Sequence, residues 1–452
     1  MSGGARTTRV YRGTFVHATS AEPLHISEDA LLGVSSEGKI SFFEATPDVD
    51  HLSKTWGFSS SEIKQLGPKQ FFMPGLVDTH IHASQYSYAG TALEMPLLQW
   101  LNTYTFPTEA NYADLNFSRD VYTKVVRRTL KNGTTTACYF ATIHTDSSLL
   151  LAEIADKFGQ RALVGKVCMD VNNGVVHYRE TLEESKAETD RFVGELLQRN
   201  YPLVMPVVTP RFALSCSSCL LGHLGDVAQN NHLHIQSHIS ETKDEVNLVK
   251  ELFPTCQSYT EVYQMHHLLT DKTVMAHGCH LTDSELELFR DSGAAVSHCP
   301  NSNISLCSGM LDVRRVLKKQ VKLGLGTDVA GGYSASMLDA IRRALDTSKA
   351  LKIKDPQHET LTFEEVFRLA TLGGSQALSL EKQTGNFEEG KDFDALLINP
   401  LVPDGPFDVF SEDSTKVRLY ACDDRNIVEV YVAGKRVVPF GEASPGSTRS
   451  PS

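Results

Sequence analysis

The chain has 452 residues, of which 41% are hydrophobic, and its formal net charge is −12. This length is sufficient for one large core and a smaller second core. Nucleic acids and anionic membranes bind basic faces, so the acidic balance predicts no nucleic-acid partner and no membrane partner, and it favours a small neutral molecule.

Cysteine usage and the lack of long apolar segments indicate a cytoplasmic protein. Nine cysteines occur at irregular spacing, which is typical of reduced thiols. Residues 1–10 lack the apolar segment of a signal peptide, and no run approaches the ~18 apolar residues of a membrane span. Cys216 and Cys219 form a C-x-x-C pair, but no second pair follows at zinc-ribbon spacing. We interpret them as unlinked thiols, with a redox or zinc pair as the alternative.

The first elements in chain order are short β-strands. Apolar runs within residues 9–43 are separated by turn residues, a pattern that predicts hairpins. Similar runs return at residues 385–396 and 430–438. Neither terminus has enough strands for a core of its own. We therefore predict that residues 1–70 and 381–440 form one composite small β-sandwich domain.

The middle of the chain, residues 71–380, alternates short apolar strands with helical patterns. This alternation is typical of repeated βαβ units and predicts an α/β fold, a (β/α)₈ TIM-like barrel. A helical pattern at residues 120–131 ends at Gly133, a C-cap signal before the next strand. A second helix opens at Thr362, where Glu365 can complete a capping box, and we expect this helix to close the barrel.

The final segment, residues 441–452, is rich in Gly, Ser and Pro and has no large hydrophobic side chain. No burial offsets the entropy lost on ordering it, so we predict a disordered tail.

The clearest functional signal is an apolar strand, residues 74–82, that ends in His80-Ile81-His82. Residues two apart on a strand project to the same face, ~6.6 Å apart along the chain, so both imidazoles can bind one ion. Three further apolar runs end in His238, His277 and Asp328. The carboxyl ends of barrel strands carry the chemistry of such enzymes, and imidazoles with a carboxylate suit zinc.

A single histidine at a strand end is more often structural than a ligand, but four such endings in barrel order favour a metal site. His232 and His234 form another H-x-H pair. His234 and His238 are ~13 Å apart along a strand, too far to share one ion. We therefore interpret His232 and His234 as structural residues near the amino-terminal face of the barrel.

Five motifs occur in the order P-G-L-V-D-T-H-I-H, H-I-S-E, A-H-G, H-C-P-N-S-N and G-T-D. Together they resemble the amidohydrolase superfamily, and within it the purine-deaminase branch. Residues 82–86, 209–212 and 326–332 are similar to the members that act on guanine. The resemblance spans nearly the whole chain. It implies hydrolytic deamination of guanine to xanthine and ammonia, and a homodimer.

The resemblance also implies the site residues. The metal site is implied to comprise His80, His82, His238, His277 and Asp328. One zinc ion per subunit is expected, because the run 204–211 lacks the modified lysine that usually bridges two ions. The implied substrate-binding residues are His82, Ala83, Ser84, Gln85, Arg211, Phe212, His238, Glu241 and Asp328. Gln85 and Arg211 offer polar groups to a purine edge. Phe212 and Trp100 are candidates for apolar contact with the ring.

Three residues are assigned catalytic roles. We expect Asp328 to act as the base toward the attacking water and Glu241 to deliver a proton to the ring. His277 is expected to help hold the metal and the tetrahedral intermediate. His298 is interpreted as support at the rim of the site. His144 has two open interpretations, contact with substrate or a purely hydrogen-bonded role.

Two alternative functions remain at this stage. One is a sibling reaction on the same scaffold, the deamination of 8-oxoguanine or a thioadenosine-type nucleoside, or the chlorohydrolysis of a triazine. The other is a scaffold or binding protein that has lost catalysis. The second is disfavoured because all five metal residues and Glu241 are present. A comparison of ammonia release from guanine, adenosine analogues and triazines distinguishes the first alternative from guanine deamination.

Overall fold

The computed structural model describes residues 7–172, 175, 178–403 and 419–441. Its strands are β1 Thr7–His17, β2 His25–Ser35, β3 Ile40–Glu44, β4 Ile63–Gln65, β5 Phe71–Pro74, β6 Leu76–His82, β7 Thr134–Phe140, β8 Arg161–Gly165, β9 Val167–Cys168, β10 Val204–Pro210, β11 His234–Ile239, β12 Thr273–His277, β13 Ala295–His298, β14 Lys322–Leu325, β15 Ala395–Ile398, β16 Ile427–Val432 and β17 Lys435–Val438. The predicted tail, residues 441–452, lies outside the described residues except for Gly441.

The helices occupy the connections between these strands. They are α1 Val49–Trp56, α2 Leu97–Trp100, α3 Phe106–Ala110, α4 Leu115–Lys131, α5 Thr145–Phe158, α6 Leu182–Gln198, α7 Ser218–Asn230, α8 Lys243–Leu252, α9 Tyr259–Met265, α10 Asp283–Ser292, α11 Pro300–Ser305, α12 Val313–Lys318, α13 Met337–Lys354, α14 Phe363–Ala370 and α15 Leu372–Ala377. A π-helical turn, Leu101–Thr105, joins α2 to α3. No helix among the described residues is both long and apolar enough to cross a bilayer.

The central sheet has the strand order β6-β7-β8-β10-β11-β12-β13-β14, and every neighbouring pair along it is parallel. The first and last strands meet through their carboxyl ends. The Asp328 amide donates to the His80 carbonyl at 2.9 Å, and the His82 amide donates to the Val329 carbonyl at 3.1 Å. Helices cover the outside, so the prediction of a TIM-like barrel is confirmed.

The second sheet combines both ends of the chain, in the order β17-β16-β15-β5-β1-β2-β3. The termini meet where β15 pairs antiparallel with β5, with Ala395 opposite Pro74 and Ile398 opposite Phe71. Aromatic side chains, Tyr11 and Phe72 among them, fill one face of this sheet. The predicted joining of the two termini is therefore confirmed. The division of the chain at residues 70 and 380 stays a prediction. Strand β5 begins just after residue 70 and pairs with β1 and β15 of this sheet.

Local sequence explains where the barrel helices begin. A Thr-x-x-Glu capping box precedes α6, α8, α10 and α14, with a threonine hydroxyl accepting from the glutamate amide. The helix predicted at residues 120–131 starts earlier, at Leu115, where the Asp114 carboxylate caps it by accepting from the Asn116 amide at 2.8 Å. The helix predicted after Thr362 is α14, and its Glu365 completes the box as expected.

Candidate active site

Four strand ends converge at one mouth of the barrel. One ligand-type atom from each of His80, His238, His277 and Asp328 lies within 4.8 Å of the others. His82 joins the group, since its Nε2 lies 3.1 Å from Nε2 of His238 and 3.4 Å from Oδ1 of Asp328. The structure therefore brings together all five residues of the expected metal site.

The hydrogen bonds around this cluster show which nitrogens face it. His238 donates from Nδ1 to the Arg211 carbonyl at 2.6 Å, and His277 donates from Nδ1 to Oδ1 of Asn303 at 2.8 Å. In its neutral form, each of these imidazoles therefore presents the lone pair of Nε2 to the cluster. His80 Nε2 is buried and lies 3.1 Å from Oδ1 of Asp328. Lone pairs gathered around one carboxylate fit a divalent cation of the zinc type.

Buried backbone contacts hold the first and last ligands together. The Asp78 carboxylate accepts from the amides of His80 and Thr327 and from the Thr327 hydroxyl, at 3.2, 3.0 and 2.6 Å. Burial raises the pKa of Asp78 to about 7. Gly326 permits this close approach, because a Cβ there would lie 2.9 Å from Cβ of His80. The φ of Asp328 is +47°, a left-handed backbone that costs strain in a non-glycine residue.

A cavity opens beside the cluster. It is lined by His82, Gln85, Leu97, Trp100, Leu101, Arg211, Phe212, His238, Glu241, His277, Leu306, Asp328 and Gly331. Ala83 and Ser84 do not line it. Both are fully buried, and the Ser84 hydroxyl donates to the Ala141 carbonyl at 3.0 Å. The cavity thus has an apolar wall and one polar side that faces the ligand cluster.

Glu241 lies between the cluster and the cavity. Its Oε2 is 3.4 Å from Nε2 of His277, and its Oε1 accepts from the Ser308 hydroxyl at 2.7 Å. Burial raises the pKa of Glu241 to about 7. A carboxyl group with such a pKa can both release and accept a proton near neutral pH.

Comparison with known proteins places the chain. The sequence profile of the amidohydrolase family matches residues 71–437. The chain belongs to the amidohydrolase family. This amidohydrolase is 60% identical to a guanine deaminase of Homo sapiens over 96% of its own length and 97% of the relative.

Solved structures also resemble this amidohydrolase over nearly its whole length. A guanine deaminase from C. acetobutylicum with guanine bound in its active site superposes with a TM-score of 0.87 at 33% identity, covering 95% of this chain and 99% of the other. An adenosine deaminase from Xanthomonas campestris with bound zinc gives a TM-score of 0.81 at 25% identity, covering 96% and 93%.

Burial and neighbouring carboxylates determine the pKa of each imidazole in the cluster of this amidohydrolase. Burial lowers the pKa of His80, and it lowers the pKa of His82 and His238 well below the usual value. These three imidazoles are therefore neutral, which is the form that binds metals. Burial also acts to lower the pKa of His277, but the nearby carboxylates of Glu241 and Asp328 outweigh it and raise that pKa.

One buried residue beside the cavity, Glu109, belongs to no motif that predicts its role. Its carboxylate accepts from both terminal nitrogens of Arg211, at 2.7 and 3.2 Å, from Nε2 of Gln85 at 3.2 Å and from the Tyr178 hydroxyl at 2.6 Å. Glu109 lies on α3, in a stretch of short helical turns without a periodic apolar pattern. Arg211 is therefore ion-paired and also lines the cavity.

The remaining histidines of interest lie outside the ligand cluster. His298 is fully buried at the end of β13, and burial lowers its pKa to about 3. Asn303 in the same motif supports the site, because it accepts from His277. The His144 ring lies 6.0 Å from that of Tyr178 and does not line the cavity. His232 is exposed, whereas His234 is buried at the start of β11.

Proposed function

We propose that this chain is a zinc-dependent hydrolase that converts guanine to xanthine and ammonia. The observation that carries the proposal is the shared cavity. Gln85 and Arg211 present hydrogen-bonding groups to the same space that Glu241 and the ligand cluster border. The guanine deaminase of Homo sapiens, 60% identical, and the guanine-bound relative from C. acetobutylicum support the same reaction.

The proposed metal is one zinc ion per subunit, held by His80, His82, His238, His277 and Asp328. Three imidazoles made neutral by burial and a buried carboxylate are the donor types that zinc prefers in catalytic sites. When bound, zinc supplies an activated water as the nucleophile. The zinc-bound adenosine deaminase of similar fold supports this choice of metal.

The residues around the ligand cluster provide for the proton transfers. Deamination at C2 requires a base for the water, a proton for the ring nitrogen beside C2 and a proton for the leaving ammonia. Asp328 acts as the base, since its carboxylate borders the cavity at the ligand cluster. Glu241, with a pKa of about 7, donates to the ring and is held by Ser308. His277 lies beside Glu241 and stabilises charge on the tetrahedral intermediate.

Recognition of the purine combines donors with an apolar wall. The guanidinium of Arg211 and the amide of Gln85 donate toward the acceptor atoms on the edge of the ring, which are costly to bury without partners. Phe212, Trp100 and Leu306 border the same cavity and contact the ring faces. The expected substrate-binding set also includes His82, Ala83, Ser84 and His238. Ala83 and Ser84 act from beneath the cavity, by fixing the backbone next to Gln85.

The setting proposed for the enzyme is a homodimer in the cytoplasm. Cys138, Cys168, Cys216 and Cys299 are buried free thiols, which supports a reducing compartment. Sedimentation of the purified chain tests the dimer.

The decisive experiment measures zinc content and ammonia release from guanine on the same preparation. About one equivalent of zinc together with guanine-dependent ammonia release supports the proposal. Parallel assays with adenosine analogues and a triazine determine the substrate. A zinc-loaded, folded sample that releases no ammonia from guanine contradicts the proposal.

A further inference from the structure

The buried carboxylate of Glu109 contacts Arg211 and Gln85, the two cavity-lining side chains proposed to recognise the purine edge, although Glu109 itself does not line the cavity. Its Oε2 accepts from Nη1 of Arg211 at 2.7 Å, and its Oε1 accepts from Nη2 of Arg211 and from Nε2 of Gln85, both at 3.2 Å. Glu109 is 0% exposed, so these bonds form away from water. Charge-assisted, two-point pairs of this kind fix both direction and distance.

Each of the two recognition side chains is held in a single orientation by this arrangement. The Oε1 of Gln85 accepts from the Ala330 amide at 3.1 Å while its Nε2 donates to Glu109. One further Nε2 hydrogen then remains for a ligand. The guanidinium of Arg211 also lies over the Phe106 ring, with Cζ 4.9 Å from the ring centroid. Both side chains therefore approach the cavity as preorganised hydrogen-bond donors.

The same pair also determines the charge of the cavity wall. Arg211 alone would present a full positive charge to a bound purine. Its ion pair with Glu109 has side-chain exposures of only 3% and 0%, so the two charges compensate each other locally. A wall of directed donors without net charge favours a neutral base over the corresponding anion.

We propose that Glu109 is a positioning and specificity-determining residue of the guanine site. It holds Arg211 and Gln85 as donors and cancels the arginine charge, so that the cavity binds the neutral substrate and releases a product that ionises more readily. This inference rests on the proposed function. Xanthine carries an additional imide N–H and is the more acidic of the two purines, so charge compensation discriminates between substrate and product.

The test compares wild-type enzyme with Glu109→Gln at a mildly alkaline pH, where part of the xanthine is anionic. Glu109 touches no reacting atom, so kcat is expected to stay within about threefold while KM for guanine rises roughly 10- to 100-fold. The ratio of the xanthine inhibition constant to KM is expected to fall by about fivefold or more, because an uncompensated cation attracts the product anion. Zinc content should not change.

Two further variants separate positioning from general damage. Tyr178→Phe removes one hydrogen bond to Glu109 but keeps the negative charge of Glu109. A smaller rise in KM is therefore expected, with no change in the ratio of the xanthine inhibition constant to KM. Asp392→Asn removes another buried carboxylate, the partner of Arg161 in the terminal domain, and should leave both constants unchanged. If Glu109→Gln does not fold, Glu109→Asp takes its place; its shorter side chain weakens the contacts with Arg211 and Gln85, so a smaller rise in KM and a smaller fall in the xanthine ratio are expected.

The outcomes distinguish this inference from the function on which it rests. Wild-type enzyme that releases no ammonia from guanine overturns both. Active wild-type enzyme whose Glu109 variants lose kcat and zinc together, or keep the xanthine ratio of the wild type, overturns only the role of Glu109. A raised KM with a lowered xanthine ratio supports it.

Discussion

Arg161 and Asp394 are joined by two hydrogen bonds, from Nε to Oδ2 and from Nη2 to Oδ1, both 3.2 Å long. Arg161 begins the barrel strand β8, whereas Asp394 precedes β15 of the terminal sheet. Nη2 of Arg161 also donates to Asp392 at 2.7 Å. This buried cluster therefore fastens the sheet made by the chain termini to the barrel.

Replacement of Arg161 by Met should strongly destabilise the protein. It leaves the carboxylate of Asp394 buried without its cation, and breaking such a pair typically lowers the free energy of unfolding by about 3–5 kcal/mol. Urea denaturation measures the change. Arg191→Met is the matched control, since Arg191 is 37% exposed and its ion pairs contribute at most about 1 kcal/mol. Equal losses in the two variants would contradict this account.

Glu241→Gln should keep the fold and the metal but lose turnover. The amide preserves the shape of the side chain and cannot transfer a proton, so kcat is expected to fall by about 10²–10⁴-fold. Steady-state ammonia release and zinc analysis of the same sample provide the measurement. Turnover close to that of the wild type would remove Glu241 from the role of proton donor.

Asn303→Ala should weaken metal binding without touching a ligand. It removes the acceptor for Nδ1–H of His277, and loss of such a partner typically lowers metal affinity or activity by about 10–100-fold. Competition with a chelator measures the affinity. Asn301→Ala is the control on the same helix, because Asn301 donates to Asp339 and contacts no ligand. The prediction fails if both variants retain wild-type affinity.

The stability of the protein should decrease in acid partly because of His17. Its Nδ1 accepts from the Phe387 amide at 3.2 Å, and burial lowers its pKa to about 4. The unfolded chain, with a pKa near ~6.5, binds the proton more tightly. Neutral His17 therefore makes its full contribution to the free energy of unfolding above pH ~6.5. This contribution, about 3 kcal/mol in total, is lost as the pH falls toward 4.

His17→Asn retains an acceptor but does not titrate. Urea unfolding of the wild type and the variant at several pH values between 4 and 7 tests the effect. The difference in unfolding free energy between the two proteins should shrink as the pH is lowered. A difference that is constant with pH would show that His17 does not contribute.

The grouping of the candidate ligands could be predicted from the sequence because each follows an apolar strand. His80, His238 and His277 lie at the ends of such strands, and parallel strands in a barrel bring their carboxyl ends to one face. The capping box at Thr362 and Glu365 was equally local, since both partners lie within one helical turn. The joining of the two termini followed from the shortage of strands at each end.

Glu109 could not be predicted, because its role depends on partners far away in the chain. Arg211 lies 102 residues and Tyr178 lies 69 residues from Glu109. Glu109 itself lies in a stretch of short helical turns, residues 97–113, with no apolar period, so no pattern indicates which way its side chains point. The length of β2 also depends on its partner. It runs over His25–Ser35, because its polar residues pair with β1.

The contacts of Asp78 with Thr327 have a consequence for synthesis of the enzyme. They connect the first strand of the barrel to the loop that follows the last one, across 249 residues of chain. The histidine pair near the beginning is made early on the ribosome, but its carboxylate partner is made hundreds of residues later. The catalytic centre therefore comes into existence only after nearly the whole barrel has emerged, and an interrupted chain has no partial version of it.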